Sequence, residues 1–328
     1  MAIKRINVKD HEAAVFEEAI IRQKAKSSDQ KTRLVQEKAQ KLREEIEKPD
    51  SELKQMWYAL SRNKAAVVGM VIIGFLLFLA IFGKWLMPYD PNYGDMAMNK
   101  LTPSSSHLFG TDEQGRDIFS RVIDGTRVSL SVGLAAVSFA LVIGTFFGAI
   151  AGYKGGKIDT AIMRLMDIMM SIPDILLAIT FMAALGRGID KAVIAIGLVS
   201  IPEYARIVRG SIMSIKDSEY VQAAKVIGNT DAAIIFKHIL PNVLSPIIVR
   251  ATLGISSAVL NTAALGFLGL GVQPPYAEWG DMLGRARVFI FEAPYMLIFP
   301  GLAITITVLA FNLLGDGLRD AFDPKSRH

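Results

Sequence analysis

Cysteine is absent from the 328 residues of the chain, so neither disulfide bonds nor thiolate metal sites can form. Histidine is scarce, and no two histidines lie at the spacing of a metal-ligand pair. The four histidines are His11, His107, His238 and His328. The sequence therefore predicts that the chain itself holds neither a metal ion nor a cofactor.

Motifs that bind nucleotides or catalyse hydrolysis are also missing. The phosphate-binding pattern G-x-x-x-x-G-K-[ST] does not occur, and Gly155-Gly156-Lys157 lacks the residues that would frame it. Neither H-E-x-x-H nor G-x-S-x-G occurs, so the signatures of metalloproteases and serine hydrolases are absent. We therefore expect a protein that is not an enzyme and that moves or binds something with energy supplied from outside the chain.

Apolar residues, in contrast, are abundant. They make up 52% of the chain, and the mean hydropathy is positive. Runs long enough to cross the ~30 Å hydrocarbon core of a bilayer recur along the sequence. The net charge of +5 fits the lysines and arginines that anchor membrane proteins on the cytoplasmic side, and it requires no nucleic-acid partner. The composition predicts an all-α integral membrane protein in contact with the lipid bilayer.

Residues 1–54 form a polar stretch before the first apolar run. Within it, residues 10–48 contain no proline or glycine and are rich in helix-forming residues, which predicts a cytoplasmic helical extension. This extension is either a solvated helix or a segment for regulation or partner binding. Residues 55–64 contain Trp57-Tyr58, which suggests an amphipathic approach to the membrane surface. No apolar core follows the first positive charges, so no secretory signal is expected.

The remaining chain, residues 65–328, is predicted to be one transmembrane domain with six spanning helices. The predicted spans are residues 65–82, 129–153, 158–185, 189–204, 246–271 and 294–314. Gly144, Gly148 and Gly152 lie at intervals of four in the second span, and such a stripe lets a neighbouring helix approach closely.

The distribution of charge orients these spans. Residues 206–244 carry five basic and three acidic residues, whereas residues 88–128 carry four basic and six acidic ones. Because basic residues are enriched in cytoplasmic loops, residues 206–244 are predicted to be cytoplasmic and residues 88–128 extracytoplasmic. With six spans, both termini then lie in the cytoplasm.

The third predicted span contains a proline and several ionisable or thioether side chains. Arg164 and Asp167 are three residues apart and able to pair, either as a structural contact or as part of a water-filled pathway. Met163, Met166 and Met170 share much of one helical face. Packing is the favoured interpretation of this face, although flexible thioethers also suit a pore that serves varied cargo.

A polar segment, residues 219–242, separates the fourth and fifth predicted spans. Two helix-compatible runs meet there at Gly228-Asn229, a pair that suits a helix stop and a turn. Asp231 can cap the second helix, and Pro241 can end it. Small alanines leave a shallow face on the first helix, which predicts a helix-turn-helix that docks on another protein.

The same segment resembles a known motif. The pattern Gln222-Ala223-Ala224-x3-Gly228-x9-His238-Ile239-Leu240-Pro241 is similar to the EAA loop of bacterial ABC-importer permeases. Three more stretches resemble the C-type permease subunits of the dipeptide, oligopeptide and nickel branch of that family. These stretches are His107-Leu108-Phe109-Gly110-Thr111-Asp112 with Gly115-Arg116-Asp117, Gly269-Leu270-Gly271-Val272-Gln273-Pro274-Pro275 before Trp279-Gly280, and Leu314-Gly315-Asp316-Gly317-Leu318-Arg319-Asp320.

The resemblance implies an import machine in the bacterial cytoplasmic (inner) membrane. A second permease subunit would complete the pathway, two cytoplasmic ATPase subunits would bind ATP and Mg, and an extracytoplasmic binding protein would deliver the substrate. The loop of residues 206–244 would couple the permease to the ATPases. The residues assigned to this coupling are Glu219, Gln222, Ala223, Ala224, Gly228, His238, Leu240 and Pro241.

Two positions depart from the family pattern. Gln222 replaces the usual glutamate, and His238 replaces an isoleucine. Neither change removes the helix-turn-helix, so the shape of the loop is expected to matter more than a carboxylate at position 222. Di- and oligopeptides are the expected substrates, with nickel or another small solute as the alternative. The rival classes are an ATP-independent channel or carrier and a structural membrane scaffold.

Overall fold

The computed structural model describes residues 52–322, and the side chains of residues 56–322. This part of the chain is helical, and its only strand-like feature is a single bridge between Thr111 and Asp117. The helices are α1 (Glu52–Arg62), α2 (Lys64–Leu86), α3 (Ile118–Lys154), α4 (Gly156–Met170), α5 (Asp174–Leu185), α6 (Ile189–Ile215), α7 (Glu219–Val226), α8 (Asp231–Phe267), α9 (Trp279–Ala286) and α10 (Tyr295–Phe322), with short 3-10 turns at Met96–Met98 and Arg287–Phe289.

The described residues fall into two compact units. Residues 52–62 and 320–322 belong to one unit, and residues 63–319 belong to the other. In the first unit, α1 exposes the rings of Trp57 and Tyr58. The predicted cytoplasmic extension lies outside the described residues, except for the first residues of α1.

Four helices of the described chain are long and apolar enough to cross a membrane, namely α2, α3, α8 and α10. The pair α4 and α5 passes the same test jointly and would make a fifth span. The predicted fourth span lies within α6, which is not among them because it carries several charged side chains. Two helices also extend further than the predicted spans: α3 begins at Ile118, inside the predicted loop 88–128, and α8 begins at Asp231.

A break separates α4 from α5. The two helices are bent by 94° relative to each other, and residues 171–173 lie between them. Pro173 occupies the position that precedes α5. Because proline lacks an N–H and disfavours helical conformations of the preceding residue, it favours the end of α4 at this position.

The glycine stripe of α3 packs directly against α6, as predicted. A methyl group on Gly144 would meet the Cβ of Tyr204 at 2.5 Å, and one on Gly152 would meet the carbonyl oxygen of Arg209 at 2.9 Å. A methyl group on Gly148, between them, would collide with the backbone of Ala205. The two helices therefore touch through backbone along three successive turns.

Candidate functional site

The segment between α6 and α8 contains the turn predicted from the sequence. Helix α7 ends at Val226, and Gly228 adopts a φ of +87°, a conformation that glycine reaches without strain. The backbone N–H and the side-chain amide of Asn229 both donate to the carbonyl of Ala224, at 3.2 and 3.1 Å. The chain therefore reverses at Gly228-Asn229 with the last carbonyls of α7 satisfied.

One face of α7 is buried against the rest of the chain. Val221 is fully buried and Ala224 is 4% exposed. They belong to an apolar group that we call the loop core, which draws on α3, α6, α7 and α8. Its buried members are Ala149, Val208, Ile212, Val221, Ala224, Ile234, Ile235, Ile239, Val243 and Ile247. Of the two alanines assigned to coupling, Ala224 is thus committed to packing within the chain.

The other face of this loop is open. Glu219, Gln222 and Ala223 are exposed on α7. The tip of the turn is strongly apolar, because Val226 is 88% exposed and Ile227 is 81% exposed. We call Val226 and Ile227 the apolar tip. The pattern from Gln222 to Pro241 gave no reason to single out these two residues.

The start of α8 differs from the prediction in its cap. The hydroxyl of Thr230, not the carboxylate of Asp231, accepts a hydrogen bond from the N–H of Ala233, at 3.3 Å. The Asp231 carboxylate instead accepts a hydrogen bond from the hydroxyl of Tyr153, at 3.0 Å. This contact joins the end of α3 to the start of α8.

Pro241 does not end the second helix, which corrects the prediction. A π-helical turn at Ile234–Ile239 and a 3-10 turn at Leu240–Val243 carry the helix past the proline. In the π turn the N–H of Leu240 donates to the carbonyl of Ile235, five residues earlier. The wider turn removes the clash that a proline causes in a regular α-helix, so α8 runs on to Phe267.

The remaining coupling residues lie in or near these two irregular turns. His238 and Leu240 are half-buried, and Pro241 is exposed. The amide of Asn242 donates to the carbonyl of His238 at 2.6 Å, which supplies a donor where the proline lacks one. The turns thus place the buried Ile239 in the loop core.

Arg164 and Asp167, whose spacing would allow an ion pair within α4, do not pair with each other. The Asp167 carboxylate pairs with Arg206 of α6, at 2.7 Å. About two turns earlier on α4, Asp159 accepts two hydrogen bonds from Arg209, at 2.5 and 2.6 Å. Arg164 is exposed and forms no ion pair within residues 56–322. The charges of α4 therefore bind it to α6.

The three methionines of α4 differ in their surroundings. Met166 is 2% exposed and lies in the main apolar core, and Met163 packs against that core while partly exposed. Met170 is exposed. Packing within this chain accounts for Met166, and a place for Met170 along a pathway stays a prediction.

The loop motif around His107 builds a rigid structure at the other end of the bundle. Asp112 accepts a hydrogen bond from Arg116 at 2.7 Å, and both side chains are buried. Asp117 caps the first turn of α3 through the N–H of Ser120, at 2.7 Å, and also contacts the ring of His107, at 3.0 Å. The motif is thus explained by its own hydrogen bonds. Within the described residues, no group of three or more possible ligands could hold a metal ion.

A buried carboxylate that sequence patterns did not reveal lies in the same region. Glu278 is fully buried and accepts hydrogen bonds from the backbone N–H groups of Gly280 and Asp281, at 2.9 and 2.8 Å. It thereby caps α9, whose Trp279 donates to the carbonyl of Val122 in α3, at 3.0 Å. Burial raises the pKa of Glu278 to about 7, although the two N–H donors act in the opposite direction.

Comparison with protein families gives two matches. Residues 144–328 match the family described as the binding-protein-dependent transport system inner membrane component. Residues 51–103 match the N-terminal transmembrane domain of oligopeptide transport permease C.

Several curated proteins are similar over most of their length. The dipeptide transport system permease protein DppC of Alkalihalophilus pseudofirmus is 50% identical over 270 residues, which cover 82% of this chain and 88% of the relative. The di/tripeptide transport system permease protein DppC of Pseudomonas aeruginosa is 45% identical over 85% of this chain and 94% of its own length. The glutathione transport system permease protein GsiD of Pectobacterium atrosepticum is 45% identical over 83% of this chain and 91% of its own.

Among solved structures, the fold is similar to a chain of the MetNI methionine ABC transporter in inward-facing conformations. The TM-score is 0.52 at 20% sequence identity, and the match covers 62% of this chain and 97% of the other.

Proposed function

The chain belongs to the inner membrane components of binding-protein-dependent transport systems, and from this we propose that it is a permease subunit of an ATP-driven importer of di- and oligopeptides. The substrate class rests on the relatives, which are named for dipeptides, di- and tripeptides, and glutathione. These compounds share a short chain of amide-linked amino acids. The chain forms the translocation pathway together with a second permease subunit.

In this proposal the chain crosses the membrane six times with both termini in the cytoplasm. Helix α6 is the additional crossing: its 27 residues span about 40 Å, more than the ~30 Å of a hydrocarbon core. The charges of α6 leave residues 192–202 uncharged, because Asp190 and Lys191 lie near its start and Glu203, Arg206 and Arg209 lie in its second half. The last three are paired with other helices through Glu203–Arg250, Arg206–Asp167 and Arg209–Asp159. Residues 206–244 then face the cytoplasm.

The observation that carries the proposal is the apolar tip. Large aliphatic side chains this exposed at the end of a polar loop indicate a protein contact. A cytoplasmic ATPase subunit, which binds ATP and Mg, is the partner that an importer permease needs at this position. Val226 and Ile227 would enter a groove of that subunit, while Glu219 and Gln222 lie at the rim of the contact.

The packing below the apolar tip explains how a movement there would reach the membrane. Val221 and Ala224 join α7 to α3, α6 and α8 through the loop core. Closely packed interiors transmit displacement instead of absorbing it. Closure of the ATPases would therefore shift these three helices together, between inward- and outward-facing arrangements.

The other end of the bundle would receive the binding protein. Residues 88–128 and 272–293 form this face in the six-span arrangement. It also carries exposed apolar side chains, among them Val288 and Phe291. Delivery of the peptide at this face and ATP hydrolysis at the other make transport dependent on both partners.

The decisive experiment measures whether the ATPase subunits co-purify with the chain and whether cells take up a labelled dipeptide. The double variant Val226→Asp with Ile227→Asp introduces two charges into the apolar tip, and it should lose both the ATPases and uptake while remaining in the membrane. The conservative variant Val226→Thr with Ile227→Val keeps the shape of the tip and should retain both.

Val288→Asp is the matched control, because Val288 is 72% exposed but lies at the opposite end of the bundle. It should retain the ATPases whatever its effect on binding-protein delivery. Normal co-purification and uptake in the doubly charged variant would disprove docking at the apolar tip. Uptake by a strain that lacks the ATPases would instead favour an ATP-independent carrier.

A further inference from the structure

A cavity of about 510 Å³ lies between the end of α2 and the first turns of α3. This volume is within the ~300–1,000 Å³ range usual for ligand sites. Its rim is fixed by two contacts to α3: the N–H of Tyr89 donates to the hydroxyl of Ser120, at 3.3 Å, and Arg121 donates to the carbonyl of Pro91, at 2.8 Å. The function proposed above makes no use of this cavity.

Four charged side chains line the cavity, and their signs balance. Lys84 and Arg127 are basic, and Asp90 and Asp124 are acidic. Within residues 56–322, neither Lys84 nor Arg127 forms a side-chain hydrogen bond or an ion pair, and both side chains are exposed. The cavity therefore offers two cations that can donate to a ligand, close to two carboxylates.

Apart from Tyr89 and Asn92, the rest of the lining is apolar, and it is continuous with an exposed apolar surface of α2. Leu79, Ile81 and Ile123 contribute to the cavity wall. Exposed Leu77 and Ile81 continue this wall along α2, away from the charged end. Trp85, which is 76% exposed beside Lys84, has the position of the aromatic residues that mark the level of lipid headgroups.

We propose that this cavity binds the headgroup of a zwitterionic glycerophospholipid that carries a primary amine. The lipid phosphate lies against Lys84 and Arg127, and its ammonium group lies against Asp90 and Asp124. The acyl chains run along the exposed side of α2. This assignment requires only that the chain is in a membrane, so it is independent of the peptide-import function.

The charge balance determines which lipid fits. Asp90 already accepts a hydrogen bond from the N–H of Asn92, and Asp124 lies near Arg121 and Arg127, but neither carboxylate has a cation from the ligand side. An anionic lipid would satisfy Lys84 and Arg127 but would place a further negative charge against Asp90 and Asp124. A choline headgroup has the required charge, but its quaternary nitrogen has no N–H to donate to Asp90 or Asp124. A primary amine supplies both the charge and the donors.

The test is native mass spectrometry of the full chain purified in its transporter complex, with defined lipids added in detergent. The wild type should retain phosphatidylethanolamine in preference to phosphatidylglycerol and phosphatidylcholine. Lys84→Ala with Arg127→Ala should reduce phosphatidylethanolamine retention about tenfold, the effect of losing about 1.4 kcal/mol. Asp90→Asn with Asp124→Asn should reverse the preference towards phosphatidylglycerol, because the lining then carries a net positive charge.

Lys64→Ala is the matched control, since Lys64 is an exposed lysine at the opposite end of α2, and it should leave retention unchanged. Equal retention of the three lipids by the wild type would overturn the proposal. Unchanged retention in Lys84→Ala with Arg127→Ala would also overturn it. If the isolated chain retained lipid but the intact complex did not, the cavity would be covered by the second permease subunit in the complex. That result would also overturn the proposal.

Discussion

At the scale of single residues, Glu278 combines two opposed requirements. As the cap of α9 it accepts two backbone N–H donors, an arrangement that favours the ionised carboxylate. Complete burial and the nearby Asp281 carboxylate favour the neutral form, and burial is the larger effect. The pKa of Glu278 is therefore raised from 4.5 to about 7. The folded state binds this proton more tightly than the unfolded state does, which makes stability depend on pH.

We expect the folded state to lose stability as pH rises through about 7. The contribution of Glu278 is complete below its ordinary pKa of 4.5 and declines between pH 4.5 and about 7, because deprotonation is easier in the unfolded chain. Glu278→Gln removes this titration, so the melting temperature should vary less between pH 5 and pH 8. Thermal unfolding of the purified chain in detergent, followed by tryptophan fluorescence, measures the difference.

Glu292→Gln provides the control, because Glu292 is an exposed carboxylate paired with Lys100. It should keep the pH dependence of the wild type. Glu278→Gln should also lower the melting temperature by a few degrees at pH 5. The second carboxyl oxygen can still accept an N–H when it is protonated, whereas the amide nitrogen of glutamine cannot, and a weakened cap costs about 1 kcal/mol. A pH dependence in Glu278→Gln equal to that of the wild type would show that Glu278 does not titrate in this range.

Residues whose role depends on sequence neighbours could be predicted, and residues whose partners are distant could not. Gly228 was recognisable because a turn requires a positive φ, whatever surrounds it. Arg164 and Asp167 have a spacing that allows a helical pair, but Asp167 binds Arg206, 39 positions away. Glu278 resembles any polar loop residue in the sequence, and only the packing of α9 against α3 and α8 buries it.

At the scale of elements, the contact between α3 and α6 organises the bundle. Glycines remove side chains from the interface, so the helices approach until their backbones touch. Two ion pairs from α4, Asp167–Arg206 and Asp159–Arg209, then hold a third helix against α6. Helix α6 thus carries its charged contacts to α4 next to its close backbone contact with α3, and Arg209 takes part in both.

Gly148→Leu should separate α3 from α6 and destabilise the chain. The new side chain would begin in contact with the backbone of Ala205 and 2.9 Å from the Cβ of Val208, where no space exists. Overpacking of this kind costs about 1–3 kcal/mol. The melting temperature of the purified chain should fall accordingly, and Gly148→Ala should show a smaller decrease in the same direction.

Gly74→Leu is the matched control, because Gly74 lies in α2 and a Cβ at that position would have no atom within 4 Å. Its melting temperature should equal or exceed that of the wild type, since a glycine inside a helix is unfavourable. Equal melting temperatures for Gly148→Leu and Gly74→Leu would mean that the glycine stripe does not determine helix contact.

The ends of the elements were harder to predict than their existence. Apolar runs located the helices, but α3 begins within a stretch whose charges suggested a loop. Those charges are accommodated because Asp117 caps the helix and Arg121 reaches back to Pro91. At Pro241, the rule that proline ends a helix failed because a π turn and a 3-10 turn together avoid the clash.

At the scale of the whole molecule, the number of crossings determines which loops share a side. If α6 and the α4–α5 pair both cross, four crossings separate residue 96 from residue 288, so the two positions lie on the same side. Residue 226 then lies on the opposite side from both. If α6 does not cross, residues 96 and 288 lie on opposite sides. The topology is therefore testable by labelling three positions.

The absence of cysteine makes this test direct, because any introduced cysteine is the only thiol in the chain. Met96→Cys, Val226→Cys and Val288→Cys replace side chains that are 68%, 88% and 72% exposed. A membrane-impermeant maleimide should label positions 96 and 288 in intact spheroplasts, and position 226 only in inverted vesicles prepared without the ATPase subunits, which would cover the apolar tip. Val221→Cys, at a buried position beside the apolar tip, should resist labelling in both preparations until the protein is denatured. Labelling of positions 96 and 226 from the same side would contradict six crossings, and would remove α6 or the bent pair from the spans.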